Sequence, residues 1–353
     1  MTYPQKTGKK KVPASLCEEK EAGTFGSKMD KTSSFYSLDP EKVLQAAENA
    51  GFYPTGEFTQ LNSYENRVFD IKLEEAPEPN GSTKNVIAKF YRPNRWSKDA
   101  ILEEHEFLLS LKNEGIPAVA PLFQGHDSTV SEVDGMYVAF FPKVLGRMPQ
   151  EFLDGELKKV GRLMAQVHNI GAKKKALHRP TLDTSYYGGW DTIDYLHDWI
   201  IPEVRNRYLT AAEDILYAID DSFNPSEFIR IHGDCHKGNL LNNGKEFFLV
   251  DFDDFVNGPV IQDFWMLLSG DNDTLDEEKF QIIEGYEELR EFPDHQWSWI
   301  PLLRGLRIIS YAGWIAKRWE DPSFPRLFPE FNTYRYWAEE VEALEKIAWQ
   351  IQG

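Results

Sequence analysis

Three side chains in one short stretch, Asp234, Asn239 and Asp251, have the types and the spacing to move a phosphoryl group. They lie in Ile231-His232-Gly233-Asp234-Cys235-His236-Lys237-Gly238-Asn239 and in Leu249-Val250-Asp251-Phe252-Asp253-Asp254, five and then twelve positions apart. Between them Leu240-Leu241 and Phe247-Phe248-Leu249-Val250 read as short apolar strands joined by an Asn243-Gly244 turn, a dipeptide that favours tight hairpins. A hairpin of that size sets its two ends side by side, which would gather Asp234, Asn239 and Asp251 around one point. Phosphoryl transfer needs such a set: one carboxylate accepts the proton of the attacking hydroxyl, while an amide and a second carboxylate hold magnesium on nucleotide phosphates.

The pattern H-x-D-x-x-x-x-N, followed by a buried strand ending in Asp, is that of a kinase catalytic loop and metal loop, with His-Gly-Asp where His-Arg-Asp is usual. Asp, Asn and Gly also build turns, and any one of them alone would be read that way. Three polar groups at this spacing, bracketed by two apolar strands, are not explained by turns. His232 is expected to brace the loop, and His168 to cap or pack a helix end. Proton acceptance falls to Asp234 rather than to His232 or His236, because a carboxylate stays ionised at pH 7 unless strongly buried.

The elements that must position this cluster follow from the rest of the chain. Its 353 residues suffice for one large domain or two lobes, and an apolar content of 41% is ordinary for a globular protein. Residues 1–34 carry seven lysines against four acids and little apolar periodicity, and read as a disordered extension. Order should begin near Phe35. Asp39-Pro40 opens a helix that Gly51 closes. Strands are expected within 57–73, at 85–91, near 121–125 and at 136–142, with a helix from Ser97 to about Asn113 between the third and the rest. From about Pro142 the pattern turns helical, at 154–170, 191–219, 260–269, 275–290, 297–319 and 333–350. A strand-rich part at 35–141 before a helix-rich part at 142–353 predicts an α+β fold of two lobes, the first smaller.

The formal net charge of −18 argues against nucleic acid as a partner, since phosphate backbones demand a basic surface. It would suit a cationic substrate or simply solubility. The longest apolar runs are too short for a membrane span, nothing near the start resembles a signal peptide, and the two cysteines make no disulfide or zinc framework. The expectation is a monomer in a reducing cytoplasm.

Lys89 stands in the apolar strand Val86-Ile87-Ala88-Lys89-Phe90-Tyr91, where an unpartnered ammonium is costly. It is either a lysine that grips nucleotide phosphates and pairs with a helix glutamate, or an edge-strand lysine that discourages aggregation. Glu103 and Glu104 are the available glutamates; about 100° of helix rotation separates them, and spacing favours Glu104. No glycine-rich loop lies between the first two strands. Leu61-Asn62-Ser63-Tyr64-Glu65-Asn66-Arg67-Val68 stands there instead, a polar turn on residue types alone, although backbone N–H groups can cradle phosphate without glycine. Residues 140–146 fall where an inter-lobe hinge would meet adenine. Trp265, Trp314 and Trp319 are core or pocket residues.

These segments together resemble the aminoglycoside phosphotransferase and choline kinase superfamily, whose fold is protein-kinase-like. Within it, residues 38 to 340 resemble the bacterial stress response kinase A family of serine/threonine protein kinases. Besides the catalytic stretch, the resemblance rests on Lys89-Phe90-Tyr91-Arg92-Pro93, Ile101-Leu102-Glu103-Glu104-His105, His178-Arg179-Pro180-Thr181, Asn257-Gly258-Pro259 with Gln262-Asp263, and Arg318-Trp319-Glu320-Asp321-Pro322. It implies that Asp234 is the catalytic aspartate, that Asn239 and Asp251 bind magnesium, that Ser63 belongs to the ATP-covering loop, and that Lys89 and Glu104 form an ion pair. The extension at 1–34 departs from the family, which usually begins near the first helix. The activity expected is magnesium-dependent transfer from ATP to Ser or Thr of a protein, autophosphorylation included. The competing expectations are a small-molecule kinase acting on an aminoglycoside, a choline-like amine or a sugar alcohol, and a binding module without catalysis.

Overall fold

Asp39 caps the first helix as its position before Pro40 requires, its carboxylate accepting from the Glu41 amide at 3.0 Å. The computed structural model describes residues 35, 38–79, 81, 83–125, 127–185, 188–268 and 272–352; the extension at 1–34 lies outside them. Helix α1 (Pro40–Asn49) is followed by β1 (Pro54–Leu61), β2 (Arg67–Leu73), β3 (Asn85–Phe90), α2 (Lys98–Asn113), β4 (Ser131–Val133) and β5 (Met136–Pro142). The five strands form one antiparallel sheet in the order β1-β2-β3-β5-β4.

Strand alternation decides what each face of this sheet does. Val86, Ala88 and Phe90 of β3 point with Phe69, Ile71, Val138 and Phe140 toward Val43, Ala46 and Ala47 of α1, and all are buried. Each large side chain there contributes about 1.5–3 kcal/mol by leaving water. The other face carries Lys89, with Val68 and Ala139 as its cross-strand partners, and looks toward the rest of the molecule. The lysine is therefore neither at an edge nor lost in the α1 core. Helix α2 spans both halves: Ile101 packs with Tyr91 and Ala139 beneath the sheet, whereas Phe107, Leu108 and Leu111 join the large helical core.

That core is built from α3 (Glu156–Gly171), α4 (Trp190–Leu196), α5 (Pro202–Ser222), α6 (Gln262–Trp265), α7 (Asn272–Glu287), α8 (Ile300–Lys317), α9 (Phe324–Leu327) and α10 (Tyr334–Ile351). Helices α3 and α7 approach so closely that a Cβ on Gly161 would lie 1.9 Å from the Ile282 carbonyl oxygen, so a glycine is required at that crossing. Four short strands, β6 (Ile229–Ile231), β7 (Leu240–Asn242), β8 (Phe247–Leu249) and β9 (Val256–Gly258), pair as β6-β9 and as the β7-β8 hairpin. The α+β architecture, with a strand-rich first part and a helical second part, is thus as the sequence indicates.

Several boundaries differ. The span 191–219 is two helices, because Pro202 lacks an amide hydrogen and drives Ile201 into extended backbone (ψ 143°). No strand forms at 121–125: Pro121 cannot donate, and the sheet is reached by the Leu122 amide, on the Phe140 carbonyl at 2.7 Å, and by the Gln124 side chain, on the Val138 carbonyl at 3.1 Å. Among the described residues of 260–269, helix is confined to the four of α6.

Candidate active site

Strand β6, buried throughout, delivers the catalytic loop. His232 follows it, fully buried, with its ring 4.4 Å from that of Phe252. Its Nε2 donates to the Val250 carbonyl at 2.9 Å and its Nδ1 accepts from the Asp234 amide at 3.3 Å, so it braces the loop against the metal-loop strand. Gly233 has φ +87°, and a Cβ there would come within 2.1 Å of the Asp254 carbonyl oxygen. An arginine would be strained and would clash, which explains His-Gly-Asp.

The Asn243-Gly244 hairpin forms as the sequence indicates, with Leu240 opposite Leu249 and Gly244 at φ +89°. It brings the three polar residues together. The Asn239 side-chain amide donates to the Asp234 carbonyl at 2.9 Å, and the Asn239 carbonyl accepts from the Val250 amide at 3.1 Å, one residue before Asp251. Asp251 adopts φ +59°, a left-handed conformation costing a non-glycine residue on the order of 1–3 kcal/mol. Its side chain is half-exposed, and Lys89 Nζ donates to its Oδ1 at 3.0 Å.

The Asp234 carboxylate accepts from Arg307 at 2.9 Å and lies 3.5 Å from His236 Nε2. Burial raises its pKa, but the His236 and Arg307 contacts outweigh this and hold it well below the usual carboxylate range. It is ionised at neutral pH, as a proton-accepting group must be.

Lys89 makes different partners from the one expected. Its Nζ lies 3.0 Å from Asp251 and 3.0 Å from Asp253, whereas Glu104 is paired with Arg179. Of the two adjacent glutamates, Glu104 is the buried one, close enough to favour the lysine's charge, while Glu103 turns away and accepts the Leu177 and His178 amides at 2.6 and 2.7 Å. The Lys89–Glu104 hydrogen-bonded pair is not formed: Arg179 donates to Glu104 Oε2, and Oε1 has no hydrogen bond. Burial pushes Glu104 up to about 7 against the pull of Lys89 and Arg179. Burial disfavours the Lys89 charge, but Asp251, Asp253 and Glu104 together raise its pKa.

Ser63 sits exposed in the turn between β1 and β2, its Oγ accepting from the Asn66 amide at 3.3 Å. The turn is tied from below by side chains. Glu65 accepts from Trp314 Nε1 and from Arg318, both at 2.7 Å, and Asn66 donates to Asp253 at 3.1 Å. The segment after β5 meets the hairpin, Arg147 and Asn242 exchanging two backbone hydrogen bonds at 2.9 Å. Trp265 borders a cavity, Trp314 holds the turn, and Trp319 stacks near Trp199 and Phe331 in the core.

Three supports are given no role by the sequence. Asp263, fully buried, accepts the His232 and Gly233 amides at 2.8 Å each and His168 Nε2 at 3.1 Å, fixing the backbone just before Asp234. Asp253 joins Lys89, Arg95 and Asn66, and Arg179 joins Glu104 to the Asp253 carbonyl. The one local signal was the Asp-Phe-Asp repeat and a Gln-Asp pair inside an apolar run; the partners are too far along the chain to be read locally.

Among the described residues no three His, Cys, Asp or Glu side chains gather as a metal cage. Magnesium typically takes one or two protein ligands, with phosphate and water completing its shell. Asn239 Oδ1 and the second oxygen of Asp251 are the donors that no described side chain engages, and their hard oxygen character fits that ion.

A β-sheet lobe over a helical lobe, with an ionised aspartate and an amide–carboxylate pair brought together, is the arrangement of a phosphotransferase. The chain belongs to the phosphotransferase enzyme family, whose model matches residues 57–295, and within it to the stress response kinase A family. It is 36% identical to stress response kinase A of Escherichia coli over 311 residues, 87% of this chain and 92% of that protein. It is also 36% identical to the serine/threonine protein kinase RdoA of Salmonella typhimurium, over 88% of this chain and 93% of that one. Similar solved folds include amicoumacin kinase hAmiN in complex with AMP-PNP, Ca2+ and Ami (TM-score 0.67, 19% identity, 86% of this chain and 93% of that one). A microcompartment-associated aminopropanol kinase is similar as well (TM-score 0.63, 18% identity, 88% and 95%). The protein is a kinase, and among its described residues no helix is long and apolar enough to cross a membrane.

Proposed function

We propose that the protein is an ATP- and magnesium-dependent serine/threonine protein kinase, capable of phosphorylating itself, that acts as a cytoplasmic monomer in a stress response. The observation that carries this is the meeting of Asp234, Asn239 and Asp251 beside a buried lysine, within a family whose 36%-identical relatives are named as stress response and serine/threonine protein kinases.

In this reading Asp234 orients the acceptor hydroxyl and takes its proton, a contribution of roughly 10²–10⁴ in rate. Asp263 holds the loop backbone so that the carboxylate faces the acceptor. Asn239 and Asp251 would hold magnesium, which when bound neutralises charge building on the phosphates. Lys89 gives one of its three N–H donors to Asp251, pairs its charge with Asp253 at 3.0 Å, and keeps a donor for a phosphate oxygen. Ser63 and the backbone of its turn cover the nucleotide, and Glu104 keeps Lys89 charged from behind.

The test is incubation of the purified protein with labelled ATP, alone, with a generic protein substrate, and with small alcohols and amino alcohols. Label on protein supports the reading. Label confined to a small molecule would replace it with the small-molecule reading.

A further inference from the structure

Helix α8 borders the acceptor side of Asp234, and its cleft-facing residues recur at helical spacing as Arg304, Arg307, Tyr311, Trp314 and Arg318. All five are exposed or half-buried, while the residues between them are largely buried core. Trp314 and Arg318 hold the β1–β2 turn, while Arg307, toward the other end of the stripe, donates to Asp234. One turn further on, Arg304 stands exposed over the Trp265 ring at 5.8 Å. Trp265 is joined to the catalytic loop, since its Nε1 donates to Gln262 and Gln262 donates to the Gly233 carbonyl. Arg304 and Trp265 are also two walls of a cavity of ≈490 Å³ that includes Trp297, Trp299 and Lys279.

Among the described residues that line the cavity none is a carboxylate, while Arg304 and Lys279 line it, in a chain of net charge −18. Lys279 lies 3.6 Å from the exposed Asp276, and its ammonium is 5.5 Å from the Trp297 ring. The carboxylate beside the middle of the stripe, Glu340 near Tyr311, is pushed up to about 7 by burial and is therefore partly neutral. A cationic acceptor such as an amino alcohol would meet two guanidiniums here; an anionic one would be held by them.

We propose that the acceptor is a Ser/Thr segment flanked by a carboxylate and a bulky apolar residue, the carboxylate held by Arg304 and Arg307 and the apolar side chain seated in the tryptophan-walled cavity. The inference rests on the protein-kinase reading and narrows its substrate class. Spacing sets the register. Arg304 lies about 4.5 Å along the helix axis from Arg307 and Ile300 about 10 Å, at 1.5 Å per residue. An extended peptide advances about 3.3 Å per residue. The acid therefore falls one or two residues from the hydroxyl and the apolar anchor about three.

The experiment offers the full chain, with labelled ATP and magnesium, two degenerate peptide pools carrying one Ser or Thr. One pool has Asp/Glu with Leu/Phe in the flanks; the other has Lys/Arg in place of the acids. The acidic pool should be phosphorylated with kcat/KM about tenfold or more above the basic pool, and Arg304→Glu should remove or reverse that preference, with Arg304→Gln intermediate. Equal use of the pools, preference for the basic pool, or an unchanged preference in Arg304→Glu overturns the inference and leaves the protein-kinase reading standing. Label only on small alcohols removes both. If neither pool is labelled, anisotropy of the fluorescent pools with AMP-PNP present decides: tighter binding of the acidic pool supports the inference and its absence overturns it.

Discussion

Replacing Asp263 by Asn leaves shape unchanged and removes a charge that three donors converge on. Its Oδ2 accepts from the His232 amide and from His168, and its Oδ1 from the Gly233 amide. An asparagine keeps one acceptor oxygen; in its better orientation it retains the His232 and His168 bonds and turns its NH2 against the Gly233 N–H. One charge-assisted bond is lost, worth about 1.5–3 kcal/mol, and a buried donor is left unpaired at about 1–3 kcal/mol. A net loss of about 3 kcal/mol corresponds to a Tm fall of roughly 6–12 °C at 2–4 °C per kcal/mol. The displaced backbone is the one that carries Asp234, and a shift near 1 Å there costs about 10²-fold in rate. Lys89 and the Ser63 turn are untouched, so kcat should fall about 10- to 100-fold while KM for ATP changes less than about threefold. Steady-state kinetics with ATP as the varied substrate, beside a thermal melt, make the check. If kcat stayed within about twofold, or if KM rose as far as kcat fell, Asp263 would not be a positioning residue and the reasoning would fail.

Other perturbations probe the remaining parts. Asp251→Asn should cut turnover by about 10²–10³-fold at saturating ATP and shift the magnesium dependence upward, read by transfer of labelled phosphate across a magnesium titration; an unchanged titration would contradict the metal role. Glu104 is held up to about 7, above its ordinary 4.5, so its contribution to stability is fully present below pH 4.5 and is lost as pH rises through 7. Glu104→Gln does not titrate. Urea melts should therefore show the wild type losing stability relative to the variant between about pH 5 and pH 8, by at most about 3 kcal/mol, and a gap that is flat or opens the other way refutes this. Glu65→Gln weakens the tie from the β1–β2 turn to Trp314 and Arg318, and should raise KM for ATP about three- to tenfold, roughly 1 kcal/mol, with kcat little altered; an unchanged KM would show that the tie does not position the turn.

What was legible in the sequence was local. The Asn243-Gly244 turn, the apolar runs on either side of it, and a lysine amid strand residues each state their conformation within a few positions, and together they locate Asp234, Asn239, Asp251 and Lys89. The breaks at Pro202 and Pro121 were legible in principle, since both follow from a missing amide hydrogen, but helical periodicity and apolar content overrode them. Pairings between distant residues were not legible. Arg179 takes Glu104 from 75 positions away, Arg307 reaches Asp234 across 73, and Asp263 holds His232 across 31. Such choices are made by packing: α2 must rotate Glu104 inward to bury Ile101 and Phe107, and once inside, the carboxylate meets whichever cation the neighbouring segment supplies.

The two departures from a usual kinase sequence each have a physical counterpart in the structure. A glycine-rich turn approaches phosphate because its backbone has few steric limits. The turn at 62–66 has none of that freedom, and it is held instead: Arg92 donates to the Tyr64 and Glu65 carbonyls, Glu65 is held by Trp314 and Arg318, and Asn66 by Asp253. Gly233 has φ +87°, and its lack of a Cβ lets the backbone before Asp234 lie close against the Asp254 carbonyl. Asp253 belongs to both arrangements, since it holds Asn66 and Lys89 with its side chain and Arg179 with its carbonyl. The turn at 62–66, Lys89 and the segment that carries Asp251 therefore share one anchor, and a change at Asp253 is felt by all three.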